Sequence, residues 1–212
     1  MYLPSHFAQA DTAAIAQLLR SHPLATLVWT SAQGLTAEHV PLMLDRGADD
    51  GEHGTLRGHV ARANPLWREA AGSSVMAVFQ GAQAYVSPSG YPSKAHNPKV
   101  VPTWNYAVVH AHGPLRIIED AVWLRALVGG LTDTHEAGQA PRWQVDDAPA
   151  DYIAQMLAAI VGIEIPLARL VGKWKHSQNR TATDRDGVID ALRTASGAGP
   201  ALASAMQDTL RG

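Results

Sequence analysis

Three separate stretches of the sequence combine basic side chains with amide, hydroxyl or aromatic groups. Cationic donors bind phosphate, and flat aromatic side chains pack against planar heteroaromatic rings. A planar ligand that carries a phosphate group needs both kinds of group, so these stretches are the first candidates for a binding site. The candidate residues are Arg57, His59, Arg62 and Asn64, then Lys99, Thr103, Trp104, Asn105 and Tyr106, then Lys175, Gln178, Asn179 and Arg180.

In the first stretch, Arg57 and His59 alternate along a predicted strand and therefore share one face. Arg62 and Asn64 follow where the chain turns into a short helix opened by Pro65. A helix start offers free backbone N–H groups and the positive end of the helix dipole, which favours a phosphate at this corner. The alternative is an ordinary solvated strand end with basic side chains.

The second and third stretches have a similar composition. Trp104 and Tyr106 point the same way from a predicted strand and would offer a planar surface beside polar donors. Residues 173–180 bring lysines, a tryptophan and amides together at the end of the last predicted strand. An aromatic pair in the core and an exposed basic strand end are the respective alternatives.

Several familiar chemistries are excluded. The chain has no cysteine, which rules out disulfides, thiolate metal sites and a cysteine nucleophile. It lacks a dinucleotide-binding glycine fingerprint, a P-loop, a zinc-protease motif and a serine-hydrolase elbow. His110 and His112 share a strand face, but no carboxylate stands near them, so we predict hydrogen-bonding residues and no metal site.

The 212 residues are 46% hydrophobic and carry a net charge of −2, which argues against a protein that coats DNA. The charge is uneven: residues 54–118 hold six basic residues against one acid, and residues 169–185 hold five against one. We find no helix-turn-helix with a basic recognition helix, so direct DNA binding is not expected. Without a signal-like start or an apolar run of about 20 residues, we expect a cytoplasmic protein with no membrane segment.

The pattern of elements predicts one domain spanning residues 1–212. About six strands with helices at their edges predict an α+β protein built on an antiparallel barrel or sandwich. Residues 25–44 predict a hairpin, residues 85–102 an ordered proline-rich loop or flap, and residues 186–212 a helical tail. The spacing of Ile153, Met156, Leu157 and Ile160 predicts a helix, and residues 162–175 predict a last long strand broken by Pro166.

Five segments, taken in order and at their spacing, resemble the PaiB family, often labelled FMN-binding negative transcriptional regulators. The similarity covers about residues 1–193, including the opening Met1-Tyr2-Leu3-Pro4. The chain departs from the family pattern at His176, where members often carry Leu within the last segment. The five segments are residues 57–65, 84–94, 99–113, 161–165 and 172–180.

The resemblance implies a split antiparallel β-barrel with peripheral helices, a homodimer, and FMN at the subunit interface. Carried over by motif, the first group of candidate residues would lie near the phosphate or ribityl end, the second would face the flavin, and the third would close the pocket. Residues 87–97 could cover it. The implied function is an FMN-binding regulator with flavin-dependent oxidoreductase chemistry.

The alternative is a haem- or other small-molecule-binding relative on the same barrel, without direct DNA contact. Its axial or polar contacts would come from histidines, with these four as the candidates: His39, His59, His110 and His112.

Overall fold

The computed structural model describes residues 1–48 and 50–211 of the chain. These residues form two compact units. Unit 1 takes residues 1–22, 80–109 and those from 171 onward, and unit 2 takes residues 23–79 and 110–170. The prediction of a single domain spanning the chain stays a prediction.

The described residues contain ten strands and six α-helices in an α+β arrangement, as the sequence predicts. The strands lie in two antiparallel sheets, ordered β1-β10-β7-β6-β2-β3 and β4-β5-β9-β8. Ten strands replace the expected six because β1, β4 and β8 have only two or three residues each, and because the predicted strand 162–175 is two strands. The strands are β1 Ala8–Gln9, β2 Leu24–Ser31, β3 Gly34–Pro41, β4 Met43–Asp45, β5 Thr55–Ala61, β6 Ser74–Val86, β7 Thr103–Pro114, β8 Arg116–Ile118, β9 Ile160–Pro166 and β10 Arg169–Lys175.

The helices begin at recognisable caps. Asp11 accepts a hydrogen bond from the Ala13 backbone N–H at 2.9 Å, and Asp120 accepts one from the Trp123 N–H at 2.7 Å. Such caps satisfy backbone donors that the first helical turn leaves free. The helices are α1 Thr12–Ser21, α2 Leu66–Glu69, α3 Ala121–His135, α4 Ala150–Ala158, α5 Ala182–Arg193 and α6 Gly199–Arg211.

In unit 2, the predicted hairpin is β2 and β3, joined by a tight turn in which Ser31 pairs with Gly34. Gly34 has a φ of +109°, a conformation that favours glycine. Strand β5 lies between β4 and β9. Its register places Arg57 opposite Glu164 and opposite Met43, and this register determines the surroundings of the first candidate stretch.

In unit 1, α5 and α6 pack together around a core that includes Tyr91, Val188, Leu202 and Met206. Helix α1 is amphipathic and buries Ile15, Ala16, Leu18 and Leu19. These helices account for the predicted helical tail, although α5 begins at Ala182, before the expected start at residue 186. Thr181 causes the earlier start, because its side chain caps the Asp184 N–H.

The pattern also predicted that Ile160 continues a helix, which is wrong. Helix α4 ends at Ala158, and Ile160 is the first residue of β9. The backbone there pairs with Ala61 of β5, so sheet pairing overrides the helical spacing of the apolar residues. Within residues 1–48 and 50–211, no helix has both the length and the apolar character that crossing a membrane requires.

Candidate functional site

Within unit 1, neighbouring strands β7 and β10 bring the second and third candidate stretches together. The Lys175 ammonium donates to the Thr103 hydroxyl and, at 2.8 Å, to the Trp104 carbonyl oxygen. Segments about 70 residues apart in the chain therefore share one position in the sheet. This contact fixes the Lys175 side chain against the start of β7.

One face of these strands presents aromatic rings beside two lysines. Trp104 is 50% exposed, and its indole N–H donates to Gln83 at 2.9 Å. The Lys173 ammonium lies 5.4 Å from the centre of the Tyr106 ring and donates to the Tyr2 carbonyl at 3.0 Å. Tyr85 meets Trp104 edge to face at 6.3 Å. We define the aromatic–lysine face as these six residues: Tyr2, Tyr85, Trp104, Tyr106, Lys173 and Lys175.

The aromatic–lysine face is electropositive. Within the described part of the chain, no carboxylate forms an ion pair with Lys173 or Lys175. Burial lowers the pKa of Lys175, the Lys173 charge lowers it further, and Tyr106 opposes the shift. Two close ammonium groups without a counter-charge make this face a favourable place for an anion.

Two candidate residues support this region from within. Asn105 is buried on the opposite side of β7 from Trp104 and Tyr106, and its amide donates to the Ser177 hydroxyl at 2.9 Å. Gln178 accepts from the His176 N–H at 2.7 Å and donates to the Trp174 carbonyl at 2.6 Å. Both side chains hold the turn that follows β10. A direct contact of either with a cofactor stays a prediction.

Lys99 and Asn179 are exposed, whereas the Arg180 guanidinium lies 5.0 Å from the centre of the buried Tyr91 ring. Tyr91 belongs to the predicted flap, which forms two short 3₁₀ turns. The flap packs on α5, where the Asp184 carboxylate accepts from the Ser93 N–H at 3.0 Å and the Ser93 hydroxyl at 2.8 Å. The backbone hydrogen bond from Ser93 lowers the pKa of Asp184.

In unit 2, Arg57 is the centre of an ion-pair cluster. Its guanidinium donates to Glu164 at 2.8 Å, to Asp50 at 2.9 Å and to Asp45. Burial by itself would lower the pKa of Arg57. The hydrogen bond to Glu164 and the charges of the neighbouring carboxylates outweigh burial, so the pKa of Arg57 lies above its ordinary value. Three carboxylates therefore occupy the donors that the sequence assigns to a phosphate.

The other residues of this stretch also have identifiable surroundings in unit 2. Arg62 donates to the Ala158 carbonyl at the end of α4 at 2.8 Å and to Glu119 at 2.5 Å. The Asn64 side chain accepts from the N–H of Leu66, the first residue of α2, at 3.0 Å. The Nδ1 atom of His59 is buried with no hydrogen-bond partner among the described residues, and burial lowers its pKa. Their roles at a phosphate stay predictions.

Three residues of the aromatic–lysine face are not among the candidate residues from the sequence: Tyr2, Tyr85 and Lys173, although Lys173 opens the third stretch. A signal for Lys173 was available, because a two-residue period along β10 puts it on the same face as Lys175. The same period along β6 pairs Gln83 with Tyr85. The contribution of Tyr2 follows only from the pairing of β1 with β10, which places Ala8 opposite Lys173.

The chemistry of these groups fits a phosphorylated flavin. FMN combines a planar ring system with a phosphate, and the face supplies aromatic rings and unpaired ammonium groups within one unit. Lys175 is already held by two acceptors, so its charge is positioned before a ligand binds. Arg57 is less suited to a phosphate, because three carboxylates offset its charge.

Comparisons with known proteins agree with the predicted resemblance. A family described as "Putative FMN-binding domain" matches residues 1–169. The chain is 34% identical to an uncharacterized protein of Emericella nidulans, with 91% of this chain and 90% of that protein covered. It is 31% identical to the Protease synthase and sporulation protein PAI 2 of Bacillus subtilis, with 91% and 89% covered. The resemblance to the PaiB family is thereby confirmed.

Solved structures confirm the α+β split-barrel fold class. The FAD and heme binding protein of Mycobacterium smegmatis matches with a TM-score of 0.61 and 17% identity, over 87% of this chain and 79% of that one. The flavocytochrome Anf3 of Azotobacter vinelandii matches with a TM-score of 0.58 and 16% identity, over 83% and 70%. At these identities the likeness concerns the fold alone.

Proposed function

Because the chain belongs to the FMN-binding domain family that its residues 1–169 match, we propose that it binds FMN through the aromatic–lysine face. One observation carries this assignment. The buried Lys173 and the half-buried Lys175 lie on β10 without ion-pair partners among the described residues, and the exposed Trp104 and the half-buried Tyr106 lie on the neighbouring strand β7. The face therefore offers the two features that a phosphorylated ring compound requires.

Bound FMN supplies electron and hydride transfer, while the protein supplies placement and electrostatics. Trp104 and Tyr106 provide ring surfaces against which the flavin ring packs, and this packing excludes water from the flavin ring. Lys173 and Lys175 provide positive charge, and the hydrogen bonds of Lys175 to Thr103 and Trp104 fix that charge in place. We therefore propose flavin-dependent oxidoreductase chemistry as the activity. The location in the cytoplasm stays a prediction of the sequence.

The test is a titration of FMN with the purified protein, followed by flavin fluorescence and by the melting temperature. We expect quenched fluorescence and a raised Tm, since a ligand specific for the folded state stabilises it. Replacing Trp104 with Ala should weaken binding about tenfold, because stacking on an aromatic side chain contributes about 1–3 kcal/mol. The control is Trp143→Ala, at a tryptophan of unit 2 that is 44% exposed. Unchanged fluorescence and Tm at micromolar protein would refute the proposal.

The proposed assembly is a homodimer with the cofactor at the interface. Exposed aromatic side chains support it, because Tyr2 is 84% exposed and Tyr85 is 52% exposed on the aromatic–lysine face. A cluster of exposed large apolar residues is typical of an interaction surface. Sedimentation of the wild type and of a Tyr85→Ser variant tests the assembly. A monomer at micromolar concentration in the presence of FMN would refute it.

A role in transcriptional regulation is proposed only as an indirect effect. The relative PAI 2 is named for protease synthesis and sporulation, and the charge balance of this chain does not favour DNA binding. We therefore propose that any regulatory effect acts through a metabolite or another regulator. A gel-shift assay at physiological salt tests this, and tight, sequence-specific DNA binding would contradict it.

Haem binding is the second candidate function, and one observation favours it. His110 and His112 lie on the same face of β7 in unit 2, with ring centres 6.3 Å apart. Burial lowers the pKa of both histidines, which keeps their rings neutral and able to bind a metal. The Nε2 atom of His112 already faces Arg169 at 3.0 Å, so His110 is the better ligand. A Soret band that appears with haem and is lost in His110→Ala would support this candidate, and no such band would exclude it.

A further inference from the structure

Unit 1 contains a concave site on the helix-covered side of its strands. A cavity of about 540 Å³ lies among α1, α6, and strands β6, β7 and β10. Glycine and alanine residues line part of it, and the backbone packs closely at Gly81. A methyl group added at Gly81 would lie 3.0 Å from the Leu18 side chain and 3.3 Å from Ala107. Cavities of this size take small organic ligands.

The wall of the cavity is mainly apolar, with one large aromatic side chain. Leu18, Ala107 and Trp174 are buried residues that line it, and Ala201 and Ala205 line it from α6. An apolar body of ligand would displace water from these side chains, which favours binding. A tryptophan also attracts a cation that approaches its ring face.

The rim of the cavity is acidic. Asp11 and Asp208 line it, none of the described lining residues is Lys or Arg, and His22 is the one lining histidine among them. One Asp11 oxygen accepts from the Ala13 N–H, whereas Asp208 forms no ion pair with any described residue. The charge of the rim therefore favours cations and repels anions.

The polar groups next to the cavity add hydrogen-bond acceptors. Thr209 lines the cavity, and its hydroxyl donates to the Ala205 carbonyl at 3.0 Å. That hydroxyl therefore accepts from His176 Nδ1 at 2.8 Å, which leaves Nε2 of the buried His176 as an acceptor without a donor.

From the shape, the apolar wall and the acidic rim, we propose that this cavity binds a small amphiphilic cation. The ligand has an aromatic or branched aliphatic body and one ammonium group. The body contacts Leu18, Ala107 and Trp174, and the ammonium lies toward Asp208. This site differs from the aromatic–lysine face in its residues and in the sign of its charge, so it does not depend on FMN binding.

Three probes of matched shape test the proposal: benzyltrimethylammonium, its neutral isostere neopentylbenzene, and benzylsulfonate. The full chain is labelled with ¹³C at the alanine methyl groups and titrated with each probe. We expect benzyltrimethylammonium to shift the methyl signals of Ala107, Ala201 and Ala205. It should bind at least about fivefold more tightly than neopentylbenzene, and benzylsulfonate should bind more weakly than both.

Variants assign the effect to the cavity. Asp208→Asn should weaken binding of the cation about threefold and leave neopentylbenzene unchanged, because an exposed charge interaction is small. The matched control Asp186→Asn removes an exposed charge of α5 outside the cavity and should change neither affinity. Ala205→Leu should fill the cavity and abolish binding. Ala201→Leu, at an exposed position of the same helix, tests the same point if Ala205→Leu does not fold.

The proposal is overturned if no cavity alanine signal shifts at millimolar benzyltrimethylammonium. It is also overturned if benzylsulfonate binds as tightly as the cation, or if Asp208→Asn and Asp186→Asn behave alike. Failure to bind FMN would not affect these outcomes, because the probes and the variants all address the other side of the strands.

Discussion

Replacing Lys175 with Gln tests the proposed cofactor site most directly. The variant removes the positive charge and keeps a side chain that can donate a hydrogen bond. In the wild type the ammonium is held by the Thr103 hydroxyl and the Trp104 carbonyl, so its charge needs little reorganisation to meet a phosphate. The expected effect is therefore that of losing one charge-assisted hydrogen bond.

Such a bond contributes about 1.5–3 kcal/mol, so Lys175→Gln should weaken FMN binding about 10- to 100-fold. Riboflavin has the same ring system without the phosphate, and its affinity should change less than about threefold. Rising salt should weaken FMN binding to the wild type more than to the variant, because salt screens the charge. Flavin fluorescence titrations at pH 7 measure all three quantities.

Arg20→Gln is the control, because Arg20 is an exposed basic residue of α1 in unit 1, outside the aromatic–lysine face and outside the flap. Its FMN affinity should equal that of the wild type. The reasoning is refuted if Lys175→Gln binds FMN as tightly as the wild type. Equal losses for FMN and riboflavin would also refute it, since they would show that Lys175 shapes the ring site and does not bind the phosphate.

Three further predictions concern stability and the flap. Arg57→Gln leaves three carboxylates without their cation and should lower the free energy of unfolding by about 2–3 kcal/mol. The loss is smaller than for a fully buried ion pair because Arg57 is partly exposed. Urea unfolding measures it, and an unchanged midpoint would contradict the prediction. Burial lowers the pKa of His176 from 6.5 to about 4. Between these pH values the His176 side chain is protonated in the unfolded chain and neutral in the folded chain. The free energy of unfolding therefore falls as the pH drops from 6.5 to 4, by about 3 kcal/mol at most. His176→Leu should remove that part of the slope, and identical slopes in both proteins would show that His176 does not titrate in this way. Asp184→Asn should speed hydrogen exchange at Ser93, because the flap loses a charged acceptor; equal exchange rates would show that other contacts hold the flap.

Much of the fold followed from local pattern. The β2–β3 hairpin, the amphipathic helix α1 and the helix α3 over Leu124, Leu127 and Leu131 were predictable from apolar spacing and capping residues. The predicted helix α4 extends two residues too far, to Ile160, because the spacing of apolar residues does not show where a chain leaves a helix to pair in a sheet. Local pattern gives the type of an element more reliably than its end.

The charge count along the chain was a poor guide to Arg57. Residues 54–118 contain one acid, which made Arg57 appear to be free for an anion. Its carboxylate partners lie outside that window, at Asp45, Asp50 and Glu164. The pairing of β5 with β9 places Glu164 directly opposite Arg57, although the two residues are 107 positions apart.

The sequence by itself determined which groups share a strand face. The strict two-residue period of a strand puts Trp104 with Tyr106 and Lys173 with Lys175 wherever those strands lie. Only the tertiary structure decided which strands are neighbours and in what register, and hence that Lys175 meets Thr103 while Arg57 meets three acids. The physical reason is that strand pairing joins segments far apart in the chain, and the packing of the whole molecule selects among the registers that each local pattern allows.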